Sequence, residues 1–293
     1  MALKQCLLEL TGRLQPLYTP REASLIAQMV LEKVTGYRRL DVITRPEAPL
    51  SGDHEARIDE MAGRLLERVP VQYVVEEAWF CGMAFRVTGA VLIPRPETEE
   101  LVEWIVEDLR SRSGTAPVIV DLGTGSGCIA VSLRAKLPAT TVRGLDVSPR
   151  ALEVARENAV RLGFPVEMVQ GDMLGDLARV GIPRADIIVS NPPYIPLSEL
   201  AGMQPQVTEH EPHQALFVPD EDPLVYYRAI VRAAQRLFGR TGTVYVETHE
   251  DHAREVAQLF ESAGGRGVTL RADMQQRSRM VRAQFSGSTA GTE

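Results

Sequence analysis

The chain has 293 residues, 44% of them hydrophobic and 24% charged, with a formal net charge of -7 at neutral pH. That length exceeds a usual single domain, so a catalytic domain with a smaller appendage is expected, and no run approaches the roughly 18 apolar residues that a membrane span requires. The acidic balance weighs against a nucleic acid gripped through its phosphates, and Cys6, Cys81 and Cys128 lack the spacing of a disulfide framework or a zinc site.

Met1 to Leu14 puts Leu3, Leu7, Leu10 and Leu14 on one helical face. It lacks a basic start and a small-residue cleavage site, so a secretory signal is not expected and a cytoplasmic location is. Further helical patterns at Ala23–Val34 and Ala56–Leu66, separated by Pro and Gly breakers, give a helical N-terminal domain over residues 1–72. Aromatic and β-branched residues then take over around Gly82, which predicts a β-hairpin linker over 73–93. Pro94-Arg95-Pro96 forces extended backbone, and Glu97, Glu99 and Glu100 crowd the start of a helix that buries Leu101, Trp104, Ile105 and Leu109.

A second domain over 94–285 begins there. Strand patterns at Val118–Leu122, Thr141–Asp146, Val166–Gln170, Ile187–Ser190 and Thr243–Glu247 alternate with helical ones, the signature of an α/β fold with a mostly parallel sheet covered on both faces. Arg279–Phe285 is expected as an antiparallel edge strand, and 286–293 as a flexible tail.

The turn after the first of these strands carries Gly123, Thr124, Gly125, Ser126 and Gly127, glycines whose missing side chains let backbone approach a ligand. A dinucleotide fingerprint wants glycine where Cys128 stands, and Asp121 would repel a pyrophosphate. S-adenosylmethionine, with a sulfonium, an ammonium and no phosphate, fits better. Asp146, 23 residues after Gly123, ends the second strand where a carboxylate can accept ribose hydroxyls; Asp172 and Met173 follow the third strand, at the adenine. Each alone reads as a turn glycine, a capping Asp or a core Met, and the set in order is what indicates a nucleoside site. No metal is expected.

Asn191-Pro192-Pro193-Tyr194 follows an apolar strand at the carboxyl end of the sheet, where open α/β sheets bind ligands. Two prolines fix the turn and remove two N–H donors, leaving carbonyls and the Asn191 amide oxygen as acceptors. Such acceptors suit an NH2 substrate, because holding both hydrogens localises the nitrogen lone pair and aims it at a methyl group. Tyr194 is expected to stack on the planar group. His249 and His252 read as surface histidines and Glu99, Glu100 and Glu103 as a solvated helix start, rather than as metal or acid/base groups.

With Pro70-Val-Gln-Tyr73, Leu92-Ile-Pro-Arg-Pro-Glu-Thr-Glu99, Asp121-Leu-Gly-Thr-Gly-Ser-Gly127 and Asn191-Pro-Pro-Tyr-Ile195, the chain resembles the HemK/PrmC family of release-factor glutamine methyltransferases over nearly its whole length. The resemblance implies a class I S-adenosylmethionine-dependent methyltransferase domain, Rossmann-like and seven-stranded, behind a helical domain and a hairpin. It implies that Gly123 to Gly127 and Asp146 hold the cofactor together with Asn191, that Asp172 and Met173 lie at its adenine side, and that Asn191 to Tyr194 hold a glutamine. The implied reaction methylates the side-chain amide nitrogen (N5) of the glutamine in the Gly-Gly-Gln loop of class I peptide-chain release factors, which are then the protein partner. The chain departs from the family at Phe217–Leu224 and at Glu247-Thr-His-Glu250, both expected to lie away from the reacting groups.

The competing reading is an adenine-N6 or other exocyclic-amine nucleic-acid methyltransferase, since the same turn can cradle an exocyclic amine. It would need a base-flipping pocket and a basic path, and neither is visible in the sequence. A non-catalytic binding module would tolerate loss of Asn191, and a nicotinamide dehydrogenase is disfavoured by Cys128.

Overall fold

The computed structural model describes residues 1–110, 116–182 and 184–287. These group into two compact units, one of Met1–Glu77 with Met203–His210, the other of Ala78–Gly202 with Glu211–Glu293. The expected tail falls largely on 288–293, outside the described residues.

The first unit is helical, with Leu3–Leu14, Pro20–Thr35, Arg39–Thr44 and Gly52–Leu66 as its principal helices. Thr19 starts the second of these through a capping box, its hydroxyl accepting from Glu22 N–H while the Glu22 carboxylate accepts from Thr19 N–H, and Pro20 fills the first helical position. Gly36, at φ 74°, ends it in the left-handed region that a side chain disfavours. Leu3, Leu14, Val30, Leu31 and Leu65 are fully buried in the unit's core, each contributing about 1.5–3 kcal/mol. Tyr73 and Val74, expected at the start of the hairpin, end the short helix Val71–Val74 instead, and the hairpin itself is Ala78–Phe80 paired with Met83–Phe85.

The second unit carries a seven-stranded sheet in the order Arg266–Ala272, Ser278–Ser286, Phe238–Glu247, Ala185–Ser190, Val118–Leu122, Thr141–Asp146, Glu167–Gln170. The last five are mutually parallel, and Ser278–Ser286 runs antiparallel to both of its neighbours. The expected edge strand is therefore one place in from the edge, because a further strand, Arg266–Ala272, pairs outside it. Val118–Leu122 is fully sandwiched, with one core face meeting the Pro96–Arg110 helix side and the other the Val225–Leu237 side, which is why its residues form a continuous apolar run. The chain runs outward from Val118–Leu122 to Glu167–Gln170 and then crosses back to Ala185–Ser190 on the other side of Val118–Leu122, so a crevice opens at the carboxyl ends of Val118–Leu122 and Ala185–Ser190. Ser190 Oγ donates to the Leu122 carbonyl at 2.6 Å and ties those two ends together.

Candidate active site

The crevice is a cavity walled by Gly123, Gly125, Asp146, Asp172, Met173, Asn191 and Pro193, so residues at or just past four strand ends converge as the sequence pattern requires. Two larger cavities lie elsewhere; one borders Met173 but is lined by exposed arginines of the Val225–Leu237 helix, and neither includes the carboxylates at the strand tips. Size alone does not mark the site; the convergence of polar groups does.

The glycine turn is shaped by sterics. Gly123 sits at φ 76° and a Cβ there would come 3.0 Å from Met173 Cε, so neither a side chain nor an ordinary conformation fits. Its N–H and that of Thr124 both donate to the Leu145 carbonyl, at 2.8 and 2.9 Å, and latch the turn to the adjacent strand. Gly127, at φ 80°, packs against Ala155, where a Cβ would meet Ala155 Cβ at 3.2 Å. Thr124, Ser126 and Gly127 are turned away from the cavity walls; the Thr124 hydroxyl donates at 2.6 Å to Asp121.

Asp146 accepts one backbone N–H on each oxygen, Gly125 on Oδ2 and Ser148 on Oδ1, both at 2.9 Å. Each oxygen keeps a further lone pair for a ligand hydroxyl. Burial raises its pKa above the usual aspartate value, and the backbone amides of Ser148, Gly125 and Val147 pull it back. Asp172 Oδ1 accepts from Leu174 N–H at 2.8 Å, which fixes the turn carrying Met173. Asp121 is wholly buried, its Oδ1 has no hydrogen-bond partner among the described residues, and burial pushes its pKa to about 7.

Asn191 Nδ2 donates to Thr98 Oγ1 at 3.1 Å, and Thr98 donates onward to Glu247 Oε2 at 2.6 Å. Asn191 Oδ1 takes no hydrogen bond among the described residues and is left as an acceptor at the cavity wall. Tyr194 does not stand where stacking on a substrate requires. Its hydroxyl donates to Glu247 Oε1 at 3.0 Å and its ring packs on the core, outside the cavity wall. Pro192 is buried behind the turn.

Several residues of the site carry no signal of their own in the sequence. Ala90 and Val91, next to Leu92 of the Leu92–Glu99 motif, form one wall and Pro212, Gln214 and Ala215 another, with Tyr226 between helix and cavity. Glu211 joins the first two walls, its Oε2 accepting from Ile93 N–H at 3.1 Å and its Oε1 from Arg95 Nη2 at 2.5 Å. Glu247 overturns the expectation that its segment lies apart from the reacting groups, since it touches both Tyr194 and Thr98. Arg95 and Thr98 belong to the Leu92–Glu99 motif, the one place where the sequence pointed to them. His249 is half-buried beside Glu199, at 3.6 Å, and no group of three His, Cys, Asp or Glu among the described residues is placed to hold a metal. No described helix is long and apolar enough to cross a membrane.

The methyltransferase small domain model matches residues 99–205 and the PrmC N-terminal domain model residues 5–75. The release factor glutamine methyltransferase of Flavobacterium psychrophilum is 36% identical over 97% of this chain and 100% of its own length. That of Deinococcus radiodurans is 34% identical over 98% of this chain and 100% of its own. A methyltransferase from Pyrococcus furiosus shares the fold, with a TM-score of 0.51 at 17% identity over 81% of this chain and 100% of that one. End-to-end identity at this level, on a sheet whose strand tips carry the glycine turn and the Asn-Pro-Pro-Tyr turn, means that the chain belongs to the family of release factor glutamine methyltransferases.

Proposed function

We propose that the protein transfers a methyl group from S-adenosylmethionine to the N5 amide nitrogen of the glutamine in the Gly-Gly-Gln loop of class I release factors. The observation that carries this reading is the Asn191 side chain, whose nitrogen is engaged by Thr98 and whose oxygen is left to accept at the cavity wall. An amide NH2 presented there donates to Asn191 Oδ1 and to the carbonyls of a turn rigidified by two prolines. With both hydrogens held, the nitrogen lone pair is withdrawn from amide resonance, and acceptors already in place stabilise the positive charge that develops on it.

The cofactor's fit rests on charge and shape. The partnerless Oδ1 of Asp121 and the two free lone-pair positions of Asp146 suit a cationic nucleoside carrying ribose hydroxyls, and the left-handed Gly123 leaves room for its close approach. When bound, S-adenosylmethionine supplies an electrophilic methyl on a sulfonium. Asp146 then holds the ribose, the buried charge of Asp121 beneath the turn adds to the negative surroundings, Asp172 and Met173 border the far end of the cavity, and Asn191 orients the incoming nitrogen.

The helical unit is the natural docking surface for a folded protein substrate. Leu25 and Met29 stand one turn apart on one helix, Leu40 and Ile43 on the next, and all four are exposed, at 51%, 38%, 68% and 69%. A small loop offers little contact area, whereas a stable protein contact buries about 1,600 Å² in total. Labelled methyl transfer to a purified release factor, with and without the Gly-Gly-Gln glutamine, tests the reaction. Transfer to duplex DNA or RNA with none to the factor would instead establish the exocyclic-amine reading.

A further inference from the structure

Thr98 and Glu247 are buried polar residues on different elements, the first turn of the Pro96–Arg110 helix and the end of the Phe238–Glu247 strand. An ionised carboxylate only accepts hydrogen bonds, and Glu247 takes the Thr98 hydroxyl on one oxygen and the Tyr194 hydroxyl on the other. Burial raises the Glu247 pKa above the usual carboxylate range, the hydrogen bonds from Thr98 and Tyr194 and the charge of Arg279 pull it back toward the ionised form, Glu97 opposes them, and Tyr227 donates to its backbone carbonyl at 3.1 Å. The single hydrogen of Thr98 is thereby spent on Glu247, so Thr98 Oγ1 faces Asn191 as a pure acceptor.

That polarity decides how the Asn191 amide sits. With Nδ2 toward Thr98 the contact is a hydrogen bond of 3.1 Å. Turned over, the amide would oppose its oxygen to the Thr98 oxygen and present NH2 to a substrate NH2, a clash of like groups at both ends. We infer that Thr98 and Glu247 are positioning residues that fix the Asn191 side-chain oxygen toward the cavity before the substrate arrives, with Tyr194 anchoring the far end of the same chain. The inference rests on the reading of Asn191 as acceptor for the substrate NH2, and it gives the Leu92–Glu99 motif a task in the chemistry.

The test is a double-mutant cycle with an independent spectroscopic readout. Thr98→Val removes the hydroxyl at nearly constant shape, Thr98→Ser keeps it, and Glu247→Gln allows Thr98 to redirect its hydrogen. In single-turnover methyl transfer to a release factor, Thr98→Val and Glu247→Gln are each expected to lower the rate roughly 10- to 100-fold with cofactor affinity unchanged, and Thr98→Ser to stay within about threefold of wild type. In an Asn191→Ala background Thr98→Val is expected to cost less than about twofold, because it acts only through the amide. The side-chain amide resonances of Asn191, assigned by their absence in Asn191→Ala, are expected to shift and exchange faster with water in free Thr98→Val but not in Thr98→Ser. An equal loss of rate in both backgrounds, or Asn191 resonances indifferent to Thr98→Val, overturns the positioning role. A wild-type protein that methylates no release factor while its Asn191 resonances follow Thr98 overturns the substrate reading alone.

Discussion

Arg95 and Glu211, 116 residues apart in sequence, form an ion pair of 2.5 Å in which the Glu211 side chain is 1% exposed and the arginine 34%. Glu211 also accepts from Ile93 N–H, so the pair clamps the Ala90–Leu92 wall of the cavity to the Pro212–Ala215 wall. Removing the arginine leaves a buried carboxylate with one donor. Arg95→Ala is expected to cost about 2–4 kcal/mol, at the lower side for a buried pair because the arginine is partly solvated, and to weaken cofactor binding as the two walls part. Thermal unfolding and calorimetric binding on the same preparation check this; an unchanged affinity means that the clamp serves stability alone.

Asp121 predicts a pH dependence. Burial raises its pKa from 3.8 to about 7, Thr124 lowers it and the neighbouring Asp146 raises it, with the Cys128 thiol held neutral by its own burial. A cationic ligand favours the ionised form, so binding below about pH 7 must expel a proton, and affinity is expected to fall by up to tenfold per pH unit there. For the ligand-free protein the sign reverses. A carboxyl whose folded pKa is raised contributes stability below its unfolded value and loses it as pH rises through the folded one, so Tm should fall from about pH 4 to about pH 7 and level off above, less so with saturating S-adenosylmethionine. Asp146 and Glu247 are shifted in the same direction and add to the trend. Binding that is flat across this range would remove Asp121 from the cation's surroundings.

Asp146 should matter to binding rather than to turnover. Its carboxylate already holds Gly125 and Ser148, so Asp146→Ala loses both the ligand hydroxyls and the turn. A loss of about 1–3 kcal/mol in S-adenosylmethionine affinity is expected by calorimetry. An unaltered Kd would show that its hydrogen bonds to the turn are its whole role.

Asn191→Ala is expected to behave in the opposite way, lowering kcat by roughly 100-fold or more while cofactor affinity stays near wild type. Wild-type turnover in that variant would reduce the Asn-Pro-Pro-Tyr segment to a structural turn.

The position of the site residues is legible in the sequence where it is written into local pattern. Gly123, Asp146, Met173 and Asn191 each stand at or just past the end of a strand, and a parallel sheet brings such ends together whatever the rest of the chain does. That legibility ends where the deciding contact is long-range. Thr98 meets Glu247 across 149 residues, and nothing in either neighbourhood announces the partner. An aromatic after two prolines reads as a substrate platform, whereas the Tyr194 hydroxyl is claimed by a buried carboxylate on another strand. Arg266–Ala272 carries no strand signal because all of its residues stay partly or wholly exposed at the sheet edge, which erases the apolar alternation that marks a strand.

Docking of the substrate can be separated from chemistry without dismantling the fold. Leu40 and Ile43 lie on the short Arg39–Thr44 helix, none of whose residues is buried, so charged replacements there disturb little of the core. If the helical unit engages the release factor through such apolar positions, Leu40→Asp combined with Ile43→Asp should raise KM for the intact factor by roughly tenfold or more, the scale of one lost interface anchor. The kcat, the S-adenosylmethionine affinity and the weak reaction with a short Gly-Gly-Gln peptide should not move, because none of them uses that surface. Substitution of Leu25 and Met29 on the neighbouring helix provides the second probe, with circular dichroism to establish that each variant keeps its helices. A KM that is unchanged for the intact factor in both double variants would separate these exposed residues from substrate docking. Equal losses for factor and peptide would instead place the defect in the catalytic domain.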